Sequence, residues 1–240
     1  VYIIFFLFFI SYTNNISYMG KDTFIPGFYS NSTIREIIKP NIKNNNLNFC
    51  ANYWITDKGD TYGCAHNYVV FYEKYFRKFL NKNINLLEIG IAAGSSLKMW
   101  NSWFDRATIY AIDNNINCSK VCNDYKNIHL IIQDIKTYNT NIKFDIIIDD
   151  GCHLASFIIS AFNTLWSNIK KGGFYVIEDI QACKSDNYIK TNLKAMNIPI
   201  NFDNIKNNSR EILDDFLKNI SNFKDTNVTI HNKIVFIQKI

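Results

Sequence analysis

The stretch that most constrains this chain is residues 86–96, with the sequence LLEIGIAAGSS. Its first residues are apolar, as at the end of a buried strand, and residues 95–104 have a helical pattern, with Gly90 and Gly94 in the turn between them. Glycine is favoured where the backbone takes a positive φ or approaches a ligand closely. A strand, a tight turn and a helix N-terminus leave backbone N–H groups free to surround a small polar ligand. The stretch therefore predicts a ligand-binding turn in an α/β protein.

An acid, Glu88, stands just before this turn, and the glycines are not spaced as in the dinucleotide-binding pattern G-x-G-x-x-G. A carboxylate repels a pyrophosphate, but it suits a ligand that carries a cationic amino group and hydroxyls. The turn therefore favours S-adenosylmethionine over NAD as the ligand. An ordinary strand–turn–helix without a ligand shows the same pattern, so the motif is only moderately specific by itself.

Apolar strands alternate with helical patterns over most of the chain, which predicts a parallel sheet covered on both faces. The predicted strands are residues 85–89, 108–112, 128–132, 144–148 and 174–177. The predicted helices are residues 67–82, 95–104, 119–125, 153–169, 186–195 and 209–220. Residues 227–230 and 234–237 complete the chain as an antiparallel hairpin. This order predicts a Rossmann-like class I methyltransferase fold with a mostly parallel seven-stranded sheet.

Four successive predicted strands end in carboxylates. These are Asp113, Asp134, the pair Asp149-Asp150 and the pair Glu178-Asp179. In an open α/β sheet, ligands bind at the carboxyl ends of the strands. We expect Asp113 to take ribose hydroxyls and Asp134 to meet an adenine amino group. Any single strand-end aspartate is more often a cap or a turn former, but four in register favour a shared binding edge.

The two acid pairs predict a divalent metal. Crowded carboxylates raise one another's pKa unless a cation neutralises them, and hard oxygen ligands suit Mg²⁺. His153 lies just beyond Asp150, where it could accept a proton from a metal-held hydroxyl. The alternative for His153 is a helix cap or a surface position, and the nearby acids favour the catalytic role.

The chain resembles a known family at these residues. It is similar to the metal-dependent sugar O-methyltransferases of macrolide biosynthesis, the mycinamicin type, and to related class I proteins often labelled cephalosporin hydroxylase-like. The similarity covers residues 54–180. The matching pieces are TDKG at residues 56–59 with His66 and Tyr68, LEIG at 87–90, GSSLKMW at 94–100, Asp113, IIDDGCH at 147–153 and GGFYVIED at 172–179.

The resemblance implies site residues. Asp150, Glu178 and Asp179 would hold the metal, Mg²⁺ or Mn²⁺, and His153 would be the general base. The S-adenosylmethionine pocket is assigned to Asp57, Lys58, Glu88, Gly90, Gly94, Ser95, Asp113, Asp134 and Asp149. Cys152 stands where serine is usual. Only about 50 residues precede the core, fewer than the large N-terminal domain of the family, so the acceptor and a homo-oligomeric state stay open.

Composition bears on two further questions, the kind of partner and the cellular compartment. The net charge is +5, but Lys and Arg are scattered without a dense run, so we do not expect a nucleic-acid partner. Six cysteines form no C-x-x-C or zinc spacing, which favours free thiols in a reducing compartment. We therefore expect a cytoplasmic protein, although an apolar N-terminal stretch leaves secretion or anchoring open.

That apolar stretch is residues 1–10, VYIIFFLFFI, which is too short to span a bilayer. We expect residues 1–20 to be a leader outside the fold and residues 21–240 to be the methyltransferase domain. A short helical cap, with a candidate helix at residues 33–39, would open that domain.

These inferences predict an enzyme that transfers a methyl group from S-adenosylmethionine to a hydroxyl of a sugar or glycosylated small molecule. A nucleic-acid methyltransferase is the alternative enzyme, although the aromatic and basic patterns of single-strand binders are absent. A Rossmann-like binding module is the alternative that is not an enzyme, and the intact acids and His153 speak against it.

Overall fold

The structure is a computed structural model that describes residues 46–61 and 65–240. A seven-stranded sheet with the order β3-β2-β1-β4-β5-β7-β6 organises this part of the chain. The strands are β1 (Ile84–Ile89), β2 (Ala107–Asp113), β3 (Ile128–Ile132), β4 (Phe144–Asp149), β5 (Ile169–Ile177), β6 (Thr226–His231) and β7 (Ile234–Lys239). Strands β1 to β5 pair in parallel, and β7 pairs antiparallel with both β5 and β6. The predicted sheet and its terminal hairpin are confirmed.

Helices lie on both faces of the sheet. They are α1 (Leu47–Tyr53), α2 (Val69–Phe76), α3 (Ser95–Trp103), α4 (Ala155–Leu165), α5 (Asp186–Ala195), α6 (Phe202–Asn207) and α7 (Arg210–Ser221). Short 3₁₀ turns follow α2 at Arg77–Phe79, β2 at Ile116–Lys120, β3 at Ile135–Thr137, α4 at Trp166–Asn168 and β5 at Ala182–Lys184.

The core has two layers because neighbouring strand residues point to opposite faces. In β4, Ile146 and Ile148 pack with α1, α2 and α3, whereas Ile147 packs with α4 and α7. All three isoleucines are fully buried. This explains the apolar run at residues 146–148 of β4, because a parallel strand covered on both sides has no solvent face. The strand is not apolar throughout, since it also contains Asp145 and Asp149.

The helix that was predicted to continue to residue 169 is wrong at its end. Helix α4 stops at Leu165, and β5 begins at Ile169, so that Gly172 and Gly173 lie inside the strand. The register of β5 against β4 shifts here, and a Cβ on Gly173 would lie 2.7 Å from the carbonyl oxygen of Asp145. The glycines therefore mark an irregular strand, where the backbones come close, and not a helix stop.

One other local prediction differs from the structure, and two helices were not predicted. The predicted helix at residues 119–125 is wrong, because the chain forms a 3₁₀ turn at Ile116–Lys120 followed by turns. Helices α1 and α6 were not predicted. The candidate helix at residues 33–39 and the leader at residues 1–20 lie outside the described residues.

Two simpler expectations can be checked within the described residues. Their cysteines, at positions 50, 118, 122, 152 and 183, are all free thiols, whereas Cys64 is outside them. Among the helices of residues 46–61 and 65–240, none is long and apolar enough to cross a membrane.

Candidate active site

The turn after β1 brings two backbones into contact. Gly90 has a φ of +96°, and a Cβ at this position would lie 2.3 Å from the carbonyl oxygen of Asp150. Gly94 has a φ of +72°, and a Cβ there would lie 2.2 Å from a methyl carbon of Val121. Both positions therefore require glycine for conformation and for space. The sequence predicted glycine for a close ligand approach, and the structure adds that the chain itself is the close neighbour.

Two of the predicted donor-binding acids stand at the ends of the strands beyond β1, Asp113 at the end of β2 and Asp134 after β3. Asp113 is half-buried, and its carboxylate accepts hydrogen bonds from the backbone N–H groups of Ile91 at 2.9 Å and Asn115 at 2.8 Å. Asp134 is exposed and accepts from the backbone N–H of Lys136 at 2.9 Å. Each carboxylate has further lone pairs, so both can accept additional bonds from a ligand.

Glu88 lies beneath the turn and is fully buried. Its Oε2 accepts a hydrogen bond from the indole Nε1 of Trp100 at 3.0 Å, and its Oε1 lies 3.7 Å from Lys58 Nζ. Burial raises the pKa of Glu88 to about 7, against the opposing charge of Lys58. Direct contact between Glu88 and a donor, which the sequence predicted, stays a prediction.

Lys58 lies among the acids that were predicted to hold a metal. Its Nζ is 2.6 Å from Asp150 Oδ2 and 2.8 Å from each carboxylate oxygen of Glu178, and the side chain is only 1% exposed. Burial lowers the pKa of Lys58, but the charges of Asp150, Glu178 and Glu88 hold it well above its ordinary value. The structure thus places Lys58 with the predicted metal ligands, whereas the sequence assigned it to the donor pocket.

Helix α2 and the residue before it hold the acids that follow β5. Tyr72 donates a hydrogen bond from its hydroxyl to Glu178 Oε1, and Tyr68 donates to Asp179 Oδ1. Burial and the neighbouring charge of Asp150 raise the pKa of Glu178, in spite of its contacts with Lys58 and Tyr72. The tyrosine hydroxyls therefore fix the two carboxylates from the same side of the sheet.

Asp179 receives two more donors on the same oxygen. His66 Nδ1 lies 3.2 Å from Asp179 Oδ1, and Gln181 Nε2 donates to that oxygen at 3.0 Å. Burial raises the pKa of Asp179, but the hydrogen bond from His66 and the charges of His153 and His66 outweigh it and hold the pKa well below its usual range. Asp179 is therefore ionised in this arrangement.

The other oxygens of two acids face one imidazole. His153 Nε2 lies 3.9 Å from Asp150 Oδ1 and 3.8 Å from Asp179 Oδ2. The three residues offer ligand atoms that all lie within 4.8 Å of one another, and each side chain is half-buried. Carboxylate oxygens are ligands for a divalent cation, and an imidazole beside them can be a further ligand or a base, but not both at once. The site therefore fits a metal ion, with one oxygen of each acid anchored by protein donors and the other directed inward.

Backbone strain is concentrated at the same place. His153 has a φ of +54° and Asp179 a φ of +52°, which is the left-handed region that residues with a Cβ seldom adopt. Strain of this kind persists only where the surrounding structure enforces it, and it clusters at functional sites. The left-handed backbone turns both side chains into the space beside Asp150.

The remaining predicted residues are not among the three that converge on the possible metal position. Asp149 is buried on the opposite side of the sheet, where its carboxylate accepts from the hydroxyl of Tyr175 at 3.2 Å, and burial raises its pKa to about 7. Asp57 is exposed, and Ser95 is the first residue of α3 and half-buried. The structure brings together Asp150, His153 and Asp179, with Glu178 and Lys58 adjoining.

Two residues that contact the acids of the site, Tyr72 and Gln181, were not named from the sequence. Tyr72 lies four residues after Tyr68, which places both hydroxyls on one helical face. The spacing of four residues is visible in the sequence, but it is also the spacing of an ordinary apolar helix face. Gln181 carries no sequence signal of its own, because it contacts Asp179 only through the turn after β5.

Comparison with known proteins supports the resemblance seen in the motifs. No family model matches the chain. It is 30% identical over 133 residues to mycinamicin VI 2''-O-methyltransferase of Micromonospora griseorubida, covering 50% of this chain and 33% of the relative. It is 35% identical over 135 residues to 8-demethyl-8-(2-methoxy-alpha-L-rhamnosyl)-tetracenomycin-C 3'-O-methyltransferase of Streptomyces olivaceus, covering 50% of this chain and 34% of the relative. The match thus spans about a third of the length of these curated relatives.

The fold is shared with solved structures. One is the MycE methyltransferase of the mycinamycin biosynthetic pathway in complex with Mg, SAH and mycinamycin VI. The two superpose with a TM-score of 0.65 at 20% sequence identity, over 92% of this chain and 68% of that one. The similarity confirms the predicted class I methyltransferase fold, and the curated relatives confirm the resemblance to macrolide and tetracenomycin sugar O-methyltransferases.

Proposed function

We propose that this protein is a metal-dependent methyltransferase that transfers a methyl group from S-adenosylmethionine to a hydroxyl of a sugar or glycosylated small molecule. The observation that carries the proposal is the convergence of Asp150, His153 and Asp179 beside the Gly90 turn, at the carboxyl edge of the sheet. The names of the curated relatives state O-methylation, of mycinamicin VI in one case and of a rhamnosyl tetracenomycin in the other.

The donor would bind at the turn after β1. Asp113, at the end of β2, would accept bonds from ribose hydroxyls, and Asp134, after β3, would accept a bond from the adenine amino group. Gly90, Gly94 and Ser95 would supply backbone at the turn. For Lys58 and Asp149 the buried contacts favour positioning roles over contact with the donor.

Asp150 and Asp179 would hold the cation, and Glu178 adjoins them as the third acid of the set. A bound Mg²⁺ or Mn²⁺ supplies Lewis acidity that lowers the pKa of the acceptor hydroxyl. His153 would accept the hydroxyl proton at Nε2, which lies within 4 Å of Asp150 and Asp179 and therefore beside an acceptor held there. The protein's further contribution is to hold donor and acceptor in line.

The proposal also covers the class of the acceptor, the cellular location and the oligomeric state. The acceptor is a small molecule, because the charged residues are scattered and form no dense basic run for nucleic acid. The free thiols of the described residues support a reducing, cytoplasmic location. A homo-oligomer is compatible with the resemblance, and size-exclusion chromatography with light scattering would test it.

The experiment is a methyl-transfer assay with labelled S-adenosylmethionine over a panel of glycosides, nucleotide sugars and short RNAs. EDTA should abolish transfer, and Mg²⁺ or Mn²⁺ should restore it. His153→Ala should lower turnover by roughly 10²–10⁴, the usual range for losing a general base. The matched control is His129→Ala, which removes an exposed imidazole on β3 and should leave turnover unchanged.

Full activity after treatment with EDTA would show that the acids are structural. Methyl transfer to RNA in place of sugars would show that the protein is the alternative enzyme, a nucleic-acid methyltransferase. Calorimetry that detects no binding of S-adenosylmethionine would leave only the binding-module interpretation.

A further inference from the structure

The acids Asp150 and Glu178 already bind a cation that belongs to the protein, the ammonium group of Lys58. Lys58 Nζ contacts one oxygen of Asp150 and both oxygens of Glu178 at 2.6 to 2.8 Å. Glu178 is 2% exposed, and its Oε1 also accepts from the hydroxyl of Tyr72. Each oxygen of Glu178 is thus engaged by a protein donor, in contrast to Asp150 Oδ1 and Asp179 Oδ2, which face His153.

The charges explain why a buried ammonium is stable here. A buried carboxylate or ammonium is strongly destabilising unless it is paired and hydrogen-bonded. Glu178 and the nearby Glu88 are both fully or almost fully buried, and Lys58 lies within 4 Å of each. The lysine therefore neutralises acids that would otherwise repel one another across the site.

The same charge acts against a divalent ion. Like charges a few Å apart repel strongly where water is largely excluded. A metal ion at Asp150 would share that carboxylate with the ammonium, and recruitment of Glu178 as a ligand would require Lys58 to release it. Lys58 and a divalent cation therefore compete for the same carboxylates.

We propose that Lys58 is a tethered monovalent cation that holds Asp150 and Glu178 together in the metal-free protein and competes with the divalent cation for them. The inference rests on the proposed metal dependence. It makes Lys58 a positioning residue that sets the metal affinity of the site and keeps the acids assembled before the metal binds.

The test compares the full chain with Lys58→Met, which keeps an unbranched side chain one atom shorter and removes its charge. Mn²⁺ binding is measured by calorimetry, without methyl donor or acceptor, and thermal unfolding is followed with and without Mn²⁺. Lys58→Met should bind Mn²⁺ at least about tenfold more tightly, because a competing charge is gone. Its melting temperature without metal should fall, and its rise on adding Mn²⁺ should exceed that of the wild type.

The control is Lys190→Met, which removes an exposed lysine on α5 and should match the wild type in both measurements. Unchanged or weaker Mn²⁺ binding by Lys58→Met would overturn the inference, as would the absence of Mn²⁺ binding by both proteins. An equal loss of melting temperature with and without Mn²⁺ would indicate that Lys58 acts only through packing.

A second variant covers the case in which Lys58→Met does not fold. The double variant Lys58→Met with Glu178→Gln removes both members of the buried pair and should recover most of the lost metal-free stability. If it is no more stable than Lys58→Met, charge is not the role of Lys58 and the inference fails. None of these measurements involves methyl transfer, so a failed activity screen bears on the proposed function alone.

Discussion

At the scale of single residues, Gly90 combines two demands for glycine, one of conformation and one of space. Its φ of +96° favours glycine, and a Cβ would also collide with the backbone oxygen of Asp150. Gly172 has a similar φ of +81° but open space around it. Comparison of the two positions therefore distinguishes conformational strain from steric overlap.

We predict that Gly90→Ala lowers the free energy of unfolding by about 2–4 kcal/mol, since strain and overpacking act together. Gly172→Ala, with strain alone, should cost about 1 kcal/mol. Urea denaturation of both variants measures the difference. Equal losses would mean that the backbone at Asp150 moves aside without cost.

Glu88 gives a prediction for pH dependence. Its pKa rises from 4.5 to about 7 on folding, because the carboxyl is buried. Between these pH values the folded state binds more protons than the unfolded state, so this group makes stability fall as the pH rises. The contribution is fully present below pH 4.5 and is lost above pH 7.

Glu88→Gln should remove this dependence, so that the difference in unfolding free energy between variant and wild type changes by roughly 3 kcal/mol across that window. Chemical denaturation at several pH values measures it. Glu211→Gln, on the exposed surface of α7, is the control and should run parallel to the wild type. A parallel curve for Glu88→Gln would show that Glu88 is ionised throughout.

At the scale of elements, α2 joins the core to the site. One side of the helix packs against the sheet through Phe76, while the Tyr72 hydroxyl donates to Glu178. The packing of α2 against the sheet therefore fixes the position of the hydroxyl that binds Glu178. Loss of that one hydroxyl should affect stability although the aromatic ring remains.

Tyr72→Phe should destabilise the fold by about 1–3 kcal/mol, because a buried carboxylate loses a donor. The control on the same helix is Tyr75→Phe, whose hydroxyl partner is His231 at the partly exposed edge of the sheet and whose loss should cost less. Thermal unfolding of both variants measures which one loses more stability. A larger loss for Tyr75→Phe would mean that Lys58 alone supplies the hydrogen bonds that Glu178 needs.

At the scale of the whole molecule, the last strand completes the sheet and both core layers. Phe236 of β7 is 1% exposed and lies in an aromatic cluster with Tyr72, Tyr75, Phe76 and Phe174. The cluster therefore connects the C-terminal hairpin to α2, and through α2 to the site.

Phe236→Ala should cost about 3–5 kcal/mol, the usual range for a buried phenylalanine. Phe223→Ala removes a ring that is 51% exposed and should change stability by less than about 0.5 kcal/mol. Guanidinium denaturation compares them. A small loss for Phe236→Ala would indicate that the hairpin contributes little to the core.

The sheet could be predicted from sequence because its strands are short apolar runs that end in acids. Gly172 and Gly173 misled the prediction, since glycine after a helical pattern signals either a helix end or an irregular strand. The acids of the site were predictable from their places at strand ends. The pairing of Lys58 with Asp150 and Glu178 was not, because it joins residues 92 and 120 positions apart and depends on the packing of the complete fold.

The left-handed backbone at His153 has a consequence for how this chain can change over generations. A side chain in that conformation costs roughly 1 kcal/mol compared with glycine. Mutation to glycine would therefore relax the fold at the same step that removes the proposed base. A lineage in which methyl transfer no longer mattered should drift toward glycine at this position, and the persistence of histidine in any descendant would mark selection for chemistry against the preference of the backbone.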